Sequence, residues 1–548
     1  MPTLRLTELK LPLDHTEAAL DVAVRERLGI GTHEPLTIHV HRRGVDARRK
    51  SAILFAYTLD LDTPRANELL TRFAKDPHVM PTPDMRYRPV VARGDPAAIA
   101  ASARQPRPVV IGTGPCGLLA ALVLAQMGLE PLVLERGKSV RERTRDTWGL
   151  WRQRVLDPES NVQFGEGGAG TFSDGKLYSQ VRDPRHHGRK VLEEFVEAGA
   201  PAEILYVSKP HIGTFRLVKM VEHMRAKIEA LGGEIRFGQR VDDILIEDGN
   251  MRGLVTADGT EIRADHVVLA IGHSARDTFA MLHRRGVHIE AKPFSIGARI
   301  EHPQSLVDRA RYGPSAGHPL LGAADYKLVH HAGNGRAVYS FCMCPGGTVV
   351  AATSEPGRVV TNGMSQYSRD ERNANSAIVV SITPERDYPG HVLAGIDFQR
   401  HWESLAFVAG GSDYSAPAQR VGDFLVGRAS TALGEVVPSY TPGVKPADIA
   451  TCLPAFAIEA MREAIPIFDR QIRGFALPDA VLTAVETRTS SPIRIRRDDD
   501  SLQSINVRGL YPAGEGAGYA GGILSAAIDG LRVAEALAVE FTGVDRRK

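Results

Sequence analysis

Hydrophobic and polar positions change rhythm several times along this 548-residue chain. Near the start, "LTIHVHRRG" and "AILFAYTLDLD" alternate like half-buried strands, and "HTEAALDVAVRERLG" has helical spacing closed by a glycine. From Lys75 to Pro108, Pro, Ala and Arg dominate, which predicts a linker or a long connection hugging the surface. At Pro108 the pattern turns strongly α/β, with a buried strand "PVVIG", a helix "GLLAALVLAQMG" and a second strand "EPLVLERG". The segment "FRLVKMVEHMRAKIEALGG" predicts an amphipathic helix. After it, "VDDILIEDGNMRGLVTADGTEIRADHVVLAIG" predicts a β-meander turning at Asp248-Gly249 and Asp258-Gly259. From Ala275 to Asp479 the periodicity weakens, with strands expected in "KPFSIGARIEH" and "AVYSFCMCPGGTVVAATS". The last segment, "GLYPAGEGAGYAGGILSAAIDGLRVAEALAVEF", predicts a strand, a glycine turn and a final helix.

The spacing G-x-G-x-x-G occurs three times, and only context separates the copies. Gly112, Gly114 and Gly117 follow a strand, open a helix and lead to a second strand ending in Glu135. That is the full dinucleotide-binding arrangement: a tight turn, close backbone approach to a pyrophosphate, and an acid for the adenosine ribose. Gly516, Gly518 and Gly521 also link a strand to a helix, but no second strand follows them. The third copy lies in "NVQFGEGGAGTFSDGKLYS", where Gly165, Gly167 and Gly170 fit one phosphate pattern and Gly170, Gly175 and Lys176 fit the P-loop. No clear apolar helix follows this copy. Leu177 stands where a P-loop needs Ser or Thr for Mg²⁺, so ATP binding is excluded.

Composition narrows the function classes. Lys+Arg 67 against Asp+Glu 65 gives no global argument for DNA, RNA or a membrane surface. Four cysteines in so long a chain suggest a reducing compartment rather than a disulfide framework. The start has no apolar signal region, and Val109 to Leu134 is broken by glycines and prolines. A cytoplasmic protein without a membrane span is therefore expected. His39 and His41 share a strand face among arginines, which argues against a metal site; no metal is expected.

A complete fingerprint near the front and a glycine turn near the end imply a cofactor spanning distant parts of the sequence. At this point the chain resembles flavoproteins of the glutathione-reductase-like FAD superfamily. "VVIGTGPCGLLAALVLAQMGLEPLVLERG", "VVLAIGHSARD" and "GLYPAGEGAGYAGG" carry that likeness. "NVQFGEGGAGTFSDGKL", "AKPFSIGARIEHPQ", "SFCMCPGG", "NGMS" and "RNANSA" resemble more closely a bacterial group called FAD-dependent dehydrogenases, whose substrate is generally unassigned.

The resemblance implies an α/β fold: a Rossmann-type FAD-binding domain with a β-meander, an inserted α+β substrate domain and a small N-terminal α/β domain. The expected boundaries are 1–75 for the N-terminal domain and 76–107 for a linker. FAD-binding parts are expected at 108–275 and 481–548, around a substrate or cap domain at 276–480. It implies FAD as cofactor, with Gly112, Gly114, Gly117 and Glu135 on its ADP half and Gly514 and Glu515 on the ribityl–pyrophosphate part. Gly521, Gly522 and Ile523 would lie under the flavin pyrimidine. Gly167, Gly168 and Gly170 would place backbone against the ring, with Ser173, Asp174 and Lys176 as further contacts. Pro115, Cys116, Arg136, Thr171, Val241 and Gly272 complete the expected cofactor wall.

Flavin chemistry belongs to the cofactor, while the protein supplies orientation and electrostatics. Cys342 and Cys344 stand at i and i+2 on an expected strand. They either flank a substrate or form a redox pair, or else are small buried hydrophobes. His273 and Tyr519 are further proton-transfer candidates beside Lys176. The expected activity is a dehydrogenase or reductase acting on a small, partly apolar organic molecule. Its electron partner would be NAD(P)H, a quinone or a protein carrier. Two alternatives are an RNA-directed flavoprotein docking through "HRRGVDARRK", which near-zero net charge disfavours, and a flavin monooxygenase.

Overall fold

The computed structural model describes residues 3–179 and 181–544. Apolar triplets build its central sheet. Five parallel strands run in the order Leu510–Pro512, Val267–Leu269, Val109–Ile111, Leu132–Leu134 and Glu234–Arg236. The first four are buried at every residue, as parallel strands covered on both faces must be. Helix Pro115–Gln126 is buried continuously from Cys116 to Ala125, so it shows no amphipathic stripe. The terminal helix Ile523–Thr542 packs against it. Strands Val241–Glu247, Asn250–Thr256 and Glu261–Arg263 form the meander.

The cap is a seven-stranded sheet in the order Val329–His331, Ala337–Cys344, Asn373–Ile382, Phe294–Pro303, Val481–Glu486, Ala416–Arg420 and Val444–Pro446. Its pairs are antiparallel except the last, and one large apolar cluster lies beneath it. Strand Val481–Glu486 sits inside this sheet, so the cap runs past residue 480. An apolar run such as "VLTAV" reads alike in either sheet, which is why sequence placed it on the wrong side of the boundary.

The N-terminal unit is a four-stranded antiparallel sheet, Thr37–Asp46, Leu54–Asp62, Thr3–Pro12 and Val79–Pro81, with its own core. Its fourth strand lies in the stretch expected to be linker, because Val79 buries in that core and pairs with Leu6. The rest of that stretch includes helix Pro96–Ser102, whose Asp95 cap accepts from the Ala97 amide. Among the described residues no helix is long and apolar enough to cross a membrane.

Candidate functional site

The turn after Val109–Ile111 is set by close approach. A Cβ at Gly117 would collide with the Gly112 carbonyl, so only glycine lets helix Pro115–Gln126 start against this strand. Glu135 ends the next strand and is buried. Its carboxylate accepts from the Thr113 amide and hydroxyl at 2.9 and 2.7 Å, and from the Gly137 and Gly165 amides at 3.0 and 2.9 Å. One acid thus ties strand, glycine turn and the 161–179 loop together, and ribose hydroxyls would share its lone pairs.

That loop is no P-loop. A Cβ at Gly168, which has φ +61°, would sit 2.8 Å from the Gly114 Cα, so the loop lies directly on the first glycine turn. Leu177 points into the core. Arg143 is fully buried behind the loop and donates to the carbonyls of Asn161, Val162, Gly165 and Glu166. Four carbonyls gathered on one guanidinium give the loop its fixed shape.

One cavity of about 1570 Å³ runs along all these elements. It exceeds the roughly 300–1,000 Å³ of ordinary small-molecule pockets, leaving room for a dinucleotide beside a second molecule. Two helix N-termini open on it. Helix Pro115–Gln126 begins at Gly114 and helix Ile523–Thr542 at Gly522, and neither has a side-chain cap. Their first amide groups and dipoles are therefore free to meet negative charge on a ligand. Beside the second helix, Gly272, Gly521 and Gly522 each leave open space where a Cβ would stand. Such a cradle fits a dinucleotide whose phosphates meet one helix and whose ring meets the other.

Of the expected cofactor residues, Gly112, Gly114, Pro115, Cys116, Glu135, Arg136, Gly168, Gly170, Asp174, Lys176, Val241, Gly272, Glu515, Gly521, Gly522 and Ile523 line this cavity. Gly117, Thr171 and Gly514 stand behind its wall. Gly514 is held by its amide donating to Asp529 at 2.8 Å, and Asp529 is paired with buried Arg497. Arg136 forks onto Glu159 and Asp277 with its guanidinium 4.0 Å from the Phe164 ring centroid. Burial pushes the Glu515 carboxyl up to about 7, with Lys292 opposing.

The other end of the cavity meets the cap. Strand Ala337–Cys344 slips register between Phe341 and Cys344, and Cys342 takes a φ of +44°. A non-glycine residue in that region is strained, and bulges of this kind re-aim side chains. Cys342 faces the cavity, whereas Cys344 is fully buried behind it and donates to the Cys342 carbonyl at 3.2 Å. Arg299 Nη2 donates to the same carbonyl at 2.9 Å and lies 3.6 Å from the Cys344 sulfur. Lys176 reaches across from the glycine-rich loop and bonds the Met343 carbonyl. The neighbouring Cys344 thiol lowers the Cys342 pKa most; burial opposes this, and the charges of Lys176 and Arg299 reinforce the lowering. Cys344 is pushed well above the ordinary thiol value by its Cys342 neighbour and by burial. All four cysteines are free thiols.

Charged groups that sequence did not flag surround this end. Arg299 is fully buried and paired with Glu486 at 3.1 Å, and burial pushes the Glu486 carboxyl up to about 7. Buried Glu403 takes a forked bond from Arg276 at 2.6 and 3.0 Å and another from Arg488 at 3.0 and 3.1 Å. An arginine inside an apolar strand such as "FSIGARIEH" is the one visible signal, since buried charge demands a partner. The partner's position, far along the chain, leaves no local trace.

His273 lines the cavity, but burial and the nearby Arg488 and Arg276 lower its pKa to about 3. It is a neutral ring hydrogen-bonded to Ser274 Oγ at 3.0 Å. Tyr519 is off the cavity wall; its oxygen accepts from the Arg497 amide at 3.0 Å and Arg497 lies 3.8 Å over its ring. Asp174 pairs with Arg369 at 3.0 Å, and Ser173 Oγ donates to the Gly170 carbonyl at 2.7 Å.

Residues 183–337 match the family described as FAD dependent oxidoreductase. Residues 293–489 match the FAD-dependent protein, C-terminal domain-like family, and residues 3–62 a domain of unknown function. An uncharacterized protein of Clostridium beijerinckii is 46% identical over 540 residues, covering 98% of this chain and 99% of its own. The chain belongs to the FAD-dependent oxidoreductase family. FAD is its cofactor, and the Rossmann-type α/β fold is that of a flavoprotein. Protein FixC of Escherichia coli K12 is 24% identical over 227 residues, 36% of this oxidoreductase and 44% of FixC. The solved L-proline dehydrogenase from P. horikoshii shares 14% identity, covering 81% of this chain and 95% of that one, at a TM-score of 0.33.

Proposed function

We propose that this oxidoreductase is a dehydrogenase or reductase of the glutathione-reductase-like superfamily, acting on a small, partly apolar organic molecule. FAD, when bound, supplies the two-electron carrier that gives or takes a hydride at N5. The chain's own groups do the remainder. Gly112, Gly114 and the helix opening at Pro115 hold phosphate, with Glu135 fixing the turn. The helix opening at Ile523 favours negative charge on a ring placed against it. Tyr326, Tyr339 and Phe341 give the far wall an apolar surface for the substrate.

The observation that carries the reading is Cys342, aimed by a strained bulge into the same cavity as two uncapped helix N-termini. Its sulfur, held as thiolate more readily than an ordinary cysteine, takes the proton a substrate loses with its hydride, or returns it in the reverse direction. Lys176 steadies the thiolate charge. His273 and Tyr519 have no part in this step: one is a neutral ring of very low basicity and the other faces away. NAD(P)H, a quinone or a protein carrier would exchange electrons by visiting transiently.

The test is anaerobic. Purified yellow protein is mixed with NADH, NADPH, quinols and candidate substrates, and bleaching of the flavin band is followed. Reduction by an organic substrate or a nicotinamide, with slow peroxide release in air, supports a dehydrogenase or reductase. Fast NADPH-driven peroxide release or a hydroxylated product marks a monooxygenase, and a salt-sensitive RNA shift marks an RNA-directed enzyme.

A further inference from the structure

The N-terminal domain forms a wall of the flavin cavity. It is docked on both other domains. Backbone bonds join Arg43 to Tyr206 and Ser208 of the FAD domain at 2.6 and 2.9 Å, and the Arg43 guanidinium lies over Phe55 and Tyr206. On the cap side Tyr312 and Leu321 pack on the N-terminal core, and His318 Nε2 is 3.0 Å from Asp14. The domain therefore bridges the two others at one end of the cavity.

The charges there do not balance. Glu8 and Asp46 are matched by Lys10 and Arg48, Asp325 by Lys209, Asp174 by Arg369 and Glu486 by Arg299. Arg42 from the N-terminal sheet and Arg311 and Lys327 from the cap also line the cavity, and no hydrogen-bonded or ion-paired partner for their side chains is found among the described residues. Lys327 lies at the substrate end. Leu328, next to Lys327, accepts from the Ser340 amide at 2.9 Å, two residues before Cys342. Exposed lysines and arginines are usually just solvated. Here three unmatched cations from two domains converge on one cavity whose carboxylates at that end already have partners. Such a wall attracts and retains an anion.

We infer that Arg42, Arg311 and Lys327 form a binding site for an anionic group on the substrate, so the N-terminal domain selects carboxylates or phosphate esters for the flavin. This rests on the oxidoreductase reading above and names its substrate class. The apolar part of such a molecule would lie toward Tyr326 and Tyr339, with its anion at the mouth.

The experiment uses the full FAD-loaded protein and reads perturbation of the flavin spectrum during titration. Probes are cinnamate, phenyl phosphate and the neutral cinnamamide, at low and high salt. The same titrations use the triple variant Arg42→Gln, Arg311→Gln, Lys327→Gln, with FAD content and melting temperature measured first. Because all three residues are exposed, a folded, yellow triple variant is expected. The inference predicts that cinnamate or phenyl phosphate binds at least about tenfold tighter than the amide, a preference that salt and the triple variant both abolish. The tighter of the two anions tells carboxylate from phosphate ester. Equal binding of acid and amide, no binding of either anion, or a preference that survives in the triple variant overturns it. A colourless protein would instead defeat the oxidoreductase reading, which the FAD measurement shows separately.

Discussion

Lys176 donates to the carbonyl of Met343, tying the glycine-rich loop of the FAD domain to the cysteine bulge of the cap. The bond places an ammonium beside Cys342 on the cavity wall where the two domains meet. Burial alone would lower the Lys176 pKa, but the negative charge shared by the Cys342–Cys344 pair, together with that of Asp174, outweighs it and raises it. Lysine and thiolate therefore hold each other charged.

That coupling predicts the alkylation chemistry. Iodoacetamide labels Cys342 with a pH midpoint below that of an ordinary thiol. Cys116, Cys344 and Cys452 stay unlabelled, because each is buried with its pKa raised. Cys344→Ala removes the main cause of the shift and raises the midpoint most; Lys176→Met raises it less. Mass spectrometry of protein alkylated across a pH series gives both values. Equal midpoints in all three proteins would contradict the arrangement.

Glu515 gives FAD affinity a pH dependence. Its pKa in the folded chain is about 7, above the usual carboxyl value of 4.5. The sign follows directly: the group is neutral below about 7 and tolerates phosphate nearby, and it becomes an anion as pH rises through that value. FAD binding should weaken from pH 6 to pH 8, and Glu515→Gln should flatten the dependence. The same raised pKa makes its contribution to folding stability largest below about 4.5 and lost as pH approaches 7. Titrating apoprotein with FAD at each pH measures the effect; identical profiles for wild type and variant would refute it.

Glu403 carries two buried guanidiniums. Arg276 and Arg488 lower its pKa far below the carboxylate range despite complete burial. Glu403→Gln strips Arg488 of its carboxylate and leaves Arg276 with Glu355 alone, and should cost about 3–5 kcal/mol, as for other broken buried pairs. Thermal melting of the FAD-loaded protein would show the loss. The double variant Glu403→Leu with Arg488→Met should recover part of it.

Much of the FAD half was legible in sequence because its geometry is local. A strand, three glycines, a helix and Glu135 fall within thirty residues, and each has one physical job. The late strand Leu510–Pro512, its glycine turn and the final helix were readable as structure for the same reason. The cap end was not. Cys342 and Cys344 read as neighbours on one strand face, but a bulge turns one into the cavity and leaves the other buried. Nothing local marks that slip. Arg299 finds Glu486, and Arg276 and Arg488 find Glu403, across separations that carry no periodic signal. The N-terminal domain was visible as a unit, and its place on the cavity wall emerges only from docking.

Reoxidation of the reduced flavin shows whether Cys342 delivers a proton to the substrate. Protein photoreduced without oxygen is mixed with a panel of conjugated carbonyl compounds, and the return of the yellow flavin is timed for wild type and Cys342→Ser. At least one compound should be reduced stoichiometrically, and Cys342→Ser, with unchanged FAD content, should be slower by about 10²-fold or more, the usual worth of a positioned proton donor. Reoxidation by oxygen alone, or equal rates in the two proteins, would contradict it.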